Sequence, residues 1–304
     1  DKEADLRKAA YNTLGAIAMQ SVRQADMRLG ENCAVIGLGL LGQLTCLILK
    51  ASGVRVIGID VNPAPVNTAR EHCADLALTR NSSGIEEQIQ AFTGGPGVDA
   101  VIIAAATDSS DPINFAGAIV RKRGRVVILG AVPPAFDRDP YWYKKELELR
   151  MSCSYGPGRY DINYEEKGID YPPAYVRWTE KRNMEAFQQL LADGKIDIDY
   201  LTTHEFDLDD APKAYDMIVN KSEPFLGIVI RYDTDKQVLK DRKIVISHEL
   251  PEAEISIAFI GAGSYAQGNL LPNIPKWNNI SRKGVMTSSG TTSKRVAERF
   301  VFEY

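Results

Sequence analysis

The stretch Asn32-Cys33-Ala34-Val35-Ile36-Gly37-Leu38-Gly39-Leu40-Leu41-Gly42, with the run Val54-Arg55-Val56-Ile57-Gly58-Ile59-Asp60 beyond it, decides the fold. Five mostly apolar residues predict a strand, and the G-x-G-x-x-G spacing predicts a tight turn. An apolar segment up to Ser52 predicts a helix, and the second strand ends on an acid. A dinucleotide needs these parts in this order. Gly37 allows a sharp exit from the strand, Gly39 a close approach of pyrophosphate to backbone, and Gly42 close packing of helix on sheet. The helix N-terminus, entered through Leu40 and Leu41, offers unpaired N–H groups and a partial positive charge. Asp60, 18 residues past Gly42 and followed by Val61, is placed to accept hydrogen bonds from both hydroxyls of a ribose. An acid there selects NAD at this site. A glycine-rich turn in an unrelated sheet would explain the glycines but not the acid.

Working outward, further apolar runs alternate with helical segments: residues 76–78, 99–105, 125–130 and 147–155 read as strands three to six. Several are apolar throughout, as strands covered on both faces are. The expected class is α/β, a doubly wound parallel six-stranded Rossmann sheet in the order 3-2-1-4-5-6. Cofactor crevices open at the carboxyl ends of such strands. Ala105, Ala106, Gly130 and Ala131 leave room there for a flat ring, or simply ease helix packing, and Tyr155 stands at the sixth exit. Residues 1–30 read as one long helix, and Arg121-Lys122-Arg123 as an exposed helix end. Residues 156–175 hold several tyrosines and prolines without periodicity, a loop long enough to be functional. It is either a lid over a substrate cleft or a wrap against another domain or subunit. Within it Arg159 is the candidate contact for an anionic substrate or for cofactor phosphates.

A chain of 304 residues suggests about two domains. Hydrophobic and charged contents of 44% and 25% are those of a soluble globular protein. A cytoplasmic location and a small-molecule substrate are expected. A net charge of -4 argues against nucleic acid or an anionic membrane as partner. Cys33, Cys46, Cys73 and Cys153 form no C-x-x-C pair and read as small buried apolar residues in a reducing compartment. His72, His204 and His248 share no ligand spacing, so no metal site and no zinc is expected in this segment.

After a polar linker at residues 233–253, with one apolar run Ile244-Val245-Ile246, the opening pattern recurs. A strand at 255–260 leads into Gly261-Ala262-Gly263-Ser264-Tyr265-Ala266, then a helix toward Pro272 and a second strand at 284–287. Gly261, Gly263 and Tyr265 mark a possible second site. No acid ends its second strand; Ser288, Ser289, Lys294 and Arg295 follow instead, consistent with NADP there or with no cofactor. The expectation is a partial second Rossmann βαβ unit over residues 254–304.

Residues 1–232 resemble the nucleotide-binding half of the medium-chain dehydrogenase/reductases, the zinc-type alcohol and threonine dehydrogenase group. The matching stretches are Leu14-Gly15-Ala16-Ile17-Ala18, the turn from Val35 with Asp60-Val61-Asn62-Pro63, Thr93-Gly94-Gly95-Pro96-Gly97-Val98-Asp99, Gly124-Arg125-Val126-Val127 and Thr203-His204-Glu205-Phe206. The resemblance implies an NAD-dependent hydride transfer, a homodimer, and a preceding catalytic domain, absent here, that holds the zinc ligands. That family's alcohol dehydrogenases place a zinc-binding cysteine before the first strand, where this chain reads Ala9-Ala10-Tyr11. Residues 254–304 look like the start of the glucose–fructose oxidoreductase and inositol dehydrogenase family. Together they suggest a fragment of a two-enzyme chain. The strands near Thr202 and Ile228 join the catalytic domain's sheet in the resembled family; here they are expected to pair with each other, with a partner chain, or to stay as edges. The expected function is an oxidoreductase moving hydride between a nicotinamide cofactor and an alcohol or sugar-type substrate, this chain supplying the cofactor part. The alternative is a non-catalytic dinucleotide sensor or scaffold. No acid–base pair at a recognisable spacing identifies a catalytic residue.

Overall fold

The computed structural model describes residues 5–233, 245–246, 255–277 and 279–304. The chain divides into a first unit, Asp1–Asp233, and a second, Thr234–Tyr304. Apart from Asp233, Val245 and Ile246, the expected linker at 233–253 lies outside the described residues, as do the first four residues and His248.

In the first unit, α1 (Leu6–Ala9) and α2 (Asn12–Ala25) precede β1 (Asn32–Ile36), α3 (Leu40–Ala51), β2 (Arg55–Asp60), α4 (Pro63–His72) and β3 (Leu76–Thr79). Then come α5 (Ile85–Thr93), β4 (Val98–Ile103), α6 (Asp111–Ile119), β5 (Val120–Ile128), α7 (Tyr143–Lys145) and β6 (Glu148–Met151). These strands form one six-stranded sheet, parallel throughout, in the order β3-β2-β1-β4-β5-β6. Side chains that alternate along a strand face opposite sides, and the two cores follow that period. Cys33, Val35, Val56 and Ile102 pack with α2 and α3 on one side. Ala34, Ile36, Ile57, Ile59 and Ile103 pack with α5 and α6 on the other. Each fully buried isoleucine or leucine contributes about 1.5–3 kcal/mol relative to exposure.

The rest of the first unit comprises α8 (Ile162–Glu165), α9 (Glu180–Ala192), β7 (Thr202–Asp207), α10 (Ala211–Asn220) and β8 (Gly227–Arg231). Local chemistry places several boundaries. Asn62 Oδ1 accepts from Ala64 N at 3.0 Å ahead of Pro63, opening α4, and the Thr179 hydroxyl caps α9. β7 and β8 pair with each other, in parallel. The second unit holds β9 (Ile255–Ile260), β10 (Ile280–Met286) and α11 (Gly290–Phe300), with β9 and β10 parallel.

The structure corrects several expectations. The single N-terminal helix is two, with buried Tyr11 departing from helical geometry at their junction; its hydroxyl and Thr202 Oγ1 share a hydrogen bond at 2.8 Å. Tyr11→Phe is therefore expected to cost about 1 kcal/mol in urea unfolding, with faster amide exchange at the start of β7. Arg121-Lys122-Arg123 lies in β5, not at a helix end, and Arg121 Nε is 2.7 Å from Asp99 Oδ1. The sixth strand stops at Met151, so Cys153 is exposed rather than buried in a strand. The helix expected ahead of Pro272 is present over residues 264–273, but it is irregular, passing from Ser264 into a five-residue π segment, Ala266–Leu270, and a 3-10 turn, Leu271–Asn273.

Candidate functional site

The glycine turn is built by steric necessity. Gly37 has φ +94°, a conformation glycine adopts freely, and a Cβ there would stand 2.6 Å from Ala105 N at the exit of β4. A Cβ on Gly42 would run into the Gly37 carbonyl oxygen. Gly39 differs: a Cβ there would meet nothing within 4 Å. It is exposed and extended, and it precedes the first turn of α3 without a side-chain cap. The unpaired N–H groups of Leu40, Leu41 and the first turn are thus open to an anion.

Asp60 ends β2 beside this turn. Its Oδ2 accepts from Leu38 N at 2.7 Å and its Oδ1 from Asn62 N at 2.8 Å. Each carboxylate oxygen keeps lone pairs for further donors. A cleft of about 480 Å³ opens here, lined by Gly37, Gly39, Asp60, Val61, Ala105 and Ala106 among others. That volume is within the range of small-molecule sites. Gly130 and Ala131 sit behind it: a Cβ on Gly130 would collide with Ala105 O, and Ala131 O accepts from Thr107 N at 2.9 Å.

Leu40, Leu41, Gly42, Gly130 and Ala131 are not in this lining, and neither are Tyr155 and Arg159. Half-buried Tyr155 engages Asn183, whose Nδ2 donates to the Tyr155 carbonyl at 2.9 Å. Arg159 is ion-paired with Glu165, its guanidinium 4.2 Å from the Tyr160 ring centroid. Its charge is therefore met within its own loop. That loop is tied down by side chains: Tyr164 Oη donates to Thr179 Oγ1 at 3.0 Å, Tyr171 donates to Asp161, and Arg182 reaches Asp170 at 2.6 Å.

Three residues at the site escaped the sequence reading. Arg80, at the exit of β3, lines the cleft and is held in a two-pronged pair with Asp111, at 3.0 and 2.7 Å. Its position after a strand end was the available signal; its partner, 31 residues on, was not. Fully buried Gln43 donates from Nε2 to Leu38 O and to Pro65 O, both at 3.1 Å, so it holds the turn against α4. The Cys73 thiol donates to Gln43 Oε1 at 3.0 Å, a polar use for a cysteine expected to act as a plain apolar filler.

The donor set suits a dinucleotide better than a metal. The open backbone at Gly39, the helix N-terminus and the Asp60 carboxylate converge on one cleft. Among the described residues no group of three or more His, Cys, Asp or Glu side chains is placed to hold a metal ion. Cys33, Cys46 and Cys73 are buried, and burial pushes the Cys33 thiol up, against thiolate formation. Among the described residues no helix is long and apolar enough to cross a membrane.

In the second unit, Gly261 has φ +83° and the Gly261 and Ala262 N–H groups both donate to Met286 O at 2.9 Å. Its cleft, about 450 Å³, is lined by residues of β9, β10 and α11, including Thr287, Ser293 and Lys294. Gly261, Gly263 and exposed Tyr265 lie outside that lining.

Residues 41–166 match the family model described as zinc-binding dehydrogenase. D-guloside 3-dehydrogenase of Escherichia coli K12 is 26% identical over 210 residues, 67% of this chain and 55% of that protein. L-galactonate-5-dehydrogenase of the same organism is 26% identical over 231 residues, 74% of this chain and 59% of that protein. Among solved structures, a short chain alcohol dehydrogenase of Escherichia coli CFT073 complexed with NADH superposes with a TM-score of 0.56 at 19% identity, covering 76% of this chain and 60% of that one. The likeness is thus to oxidoreductases of the alcohol dehydrogenase type built on a Rossmann fold. The chain spans a little over half the length of these curated relatives.

Proposed function

We propose that the first unit binds NAD and supplies the cofactor-binding part of an oxidoreductase acting on an alcohol or sugar-type substrate. The observation that carries this is the Asp60 carboxylate, fixed at the end of β2 beside the open backbone of Gly39. When bound, NAD supplies a hydride acceptor. The residues of this chain bind and orient it. The α3 N-terminus takes the pyrophosphate, Asp60 accepts from the adenosine ribose hydroxyls, and Ala105 and Ala106 leave room for a planar ring. The relatives matched above are named as dehydrogenases, which supports the reaction class. The group that polarises the substrate C–O bond is assigned to no residue of this chain. The second unit is read as the start of another dinucleotide-binding fold, on the strength of its parallel strand pair and its glycine turn.

The test is a thermal-shift titration with NAD and with NADP. NAD is expected to raise the melting temperature and NADP to do so less, because a 2′-phosphate would be set against the Asp60 carboxylate. Stronger stabilisation by NADP would overturn the assignment of Asp60. Turnover of NAD by the full-length protein with a panel of alcohols and sugar acids then separates an enzyme from a binding module without chemistry.

A further inference from the structure

We propose that Arg23, Trp178 and Arg177 form a binding site for a small oxyanion, a carboxylate or a phosphate, separate from the cleft at Asp60. Arg23 projects from α2, and Arg177 precedes Trp178 in the segment leading into α9. Their guanidinium carbons lie 3.4 and 3.9 Å from the Trp178 ring centroid. Two guanidinium groups that near one centroid would overlap on a single face, so the ring carries one on each side. Each contact is favourable alone. Together they hold two like charges against one ring.

No carboxylate answers them among the described residues. The neighbouring arginines are all satisfied. Arg182 has Asp170 and the Val176 carbonyl, Arg150 has Glu148 and the Gln24 carbonyl, Arg125 has the Ala25 and Asp26 carbonyls, and Arg159 has Glu165. Arg23 has one acceptor, Asn183 Oδ1, 2.7 Å from its Nε. Its two terminal nitrogens and the whole Arg177 head find none among the described residues. Burial, and then the charge of Arg177, lower the Arg23 guanidinium to about 10. A fixed, half-buried cation without a counter-charge is costly, and such uncompensated groups concentrate where a ligand supplies the missing charge.

The arrangement is also pre-organised. Asn183 is fully buried and donates from Nδ2 to the Tyr155 carbonyl at 2.9 Å and to Gln20 Oε1 at 3.3 Å, so it cannot follow Arg23. Gly156 makes room for it, since a Cβ there would lie 2.6 Å from Asn183 Nδ2. The guanidinium is therefore anchored at Nε with its outer donors turned away from the anchor. The planar donor fork suits the two oxygens of a carboxylate or two of a phosphate.

The test titrates the full chain with inorganic phosphate and, separately, with D-gluconate. Chloride keeps the ionic strength constant, and tryptophan fluorescence and melting temperature are followed together. A saturable change with either anion, and none with D-glucose, is expected. Saturation by phosphate alone identifies the tetrahedral anion, and by gluconate alone the carboxylate. Arg177→Gln and Arg23→Gln should each weaken binding by about tenfold or more, with Arg23→Lys intermediate. Trp178→Phe should remove the fluorescence change and keep the thermal shift. Arg177 is exposed, so its replacement tests the site without threatening the fold. No saturation by either anion at about 10 mM, or binding that survives both glutamine variants, would overturn the site.

Discussion

Asp60→Ser is expected to weaken NAD binding by about 10- to 100-fold, the loss that follows from removing a charged hydrogen-bond acceptor from a ligand's hydroxyls. NADP should be affected far less, because the same change removes a repelling carboxylate, so the preference between the two cofactors should collapse. Isothermal titration with both cofactors measures this directly. A structural cost comes with it, since Asp60 Oδ2 also receives Leu38 N from the turn and Oδ1 receives Asn62 N. Asp60→Asn separates the two effects. The amide oxygen can still receive Leu38 N, so Asn should recover much of the stability while recovering little of the cofactor preference. Unchanged NAD affinity in both variants would remove Asp60 from the site.

The second large effect contrasts two glycines three residues apart. Gly42→Ala forces a methyl group onto the Gly37 carbonyl oxygen, a backbone atom that no rotamer change can move. Overpacking of this kind costs about 1–3 kcal/mol and more where backbone must yield. The variant should melt earlier and lose cofactor binding with the turn. Gly39→Ala meets nothing within 4 Å, so its melting temperature should match the parent's. Its methyl group nonetheless stands in the space proposed for the pyrophosphate, and NAD affinity should fall. Full affinity in Gly39→Ala would place the phosphates elsewhere.

Legibility followed sequence distance. The strand order was readable because each strand carries its own apolar run and the glycine turn marks the first. The Asp60 position was readable because strand, turn, helix and strand have nearly constant lengths. The break between α1 and α2 was not: it falls at Tyr11, whose hydroxyl partner, Thr202, lies 191 residues away. Nor was the fate of Arg159: a cation in a tyrosine-rich loop looks available until Glu165 is found beside it. The helix expected ahead of Pro272 forms, but its π and 3-10 geometry was not readable from the sequence. The apolar residues there seat themselves in the small core of the second unit through π and 3-10 turns, with Ala266 and Leu271 buried, instead of completing an α-helical face.

By itself the sequence determined a parallel, doubly wound sheet with a dinucleotide-type turn at Gly37–Gly42 and an acid at its second strand end, because those features are encoded by periodicity and spacing within about 30 residues. Only the tertiary structure decided what each charge and amide does. It gave Asp60 the Leu38 N–H, tied Gln43 to both the turn and α4, matched Arg80 with Asp111, and left Arg23 and Arg177 on Trp178 with no carboxylate partner among the described residues. Polar side chains take whichever partners folding brings within hydrogen-bond reach, and those partners lie on segments that no local pattern relates.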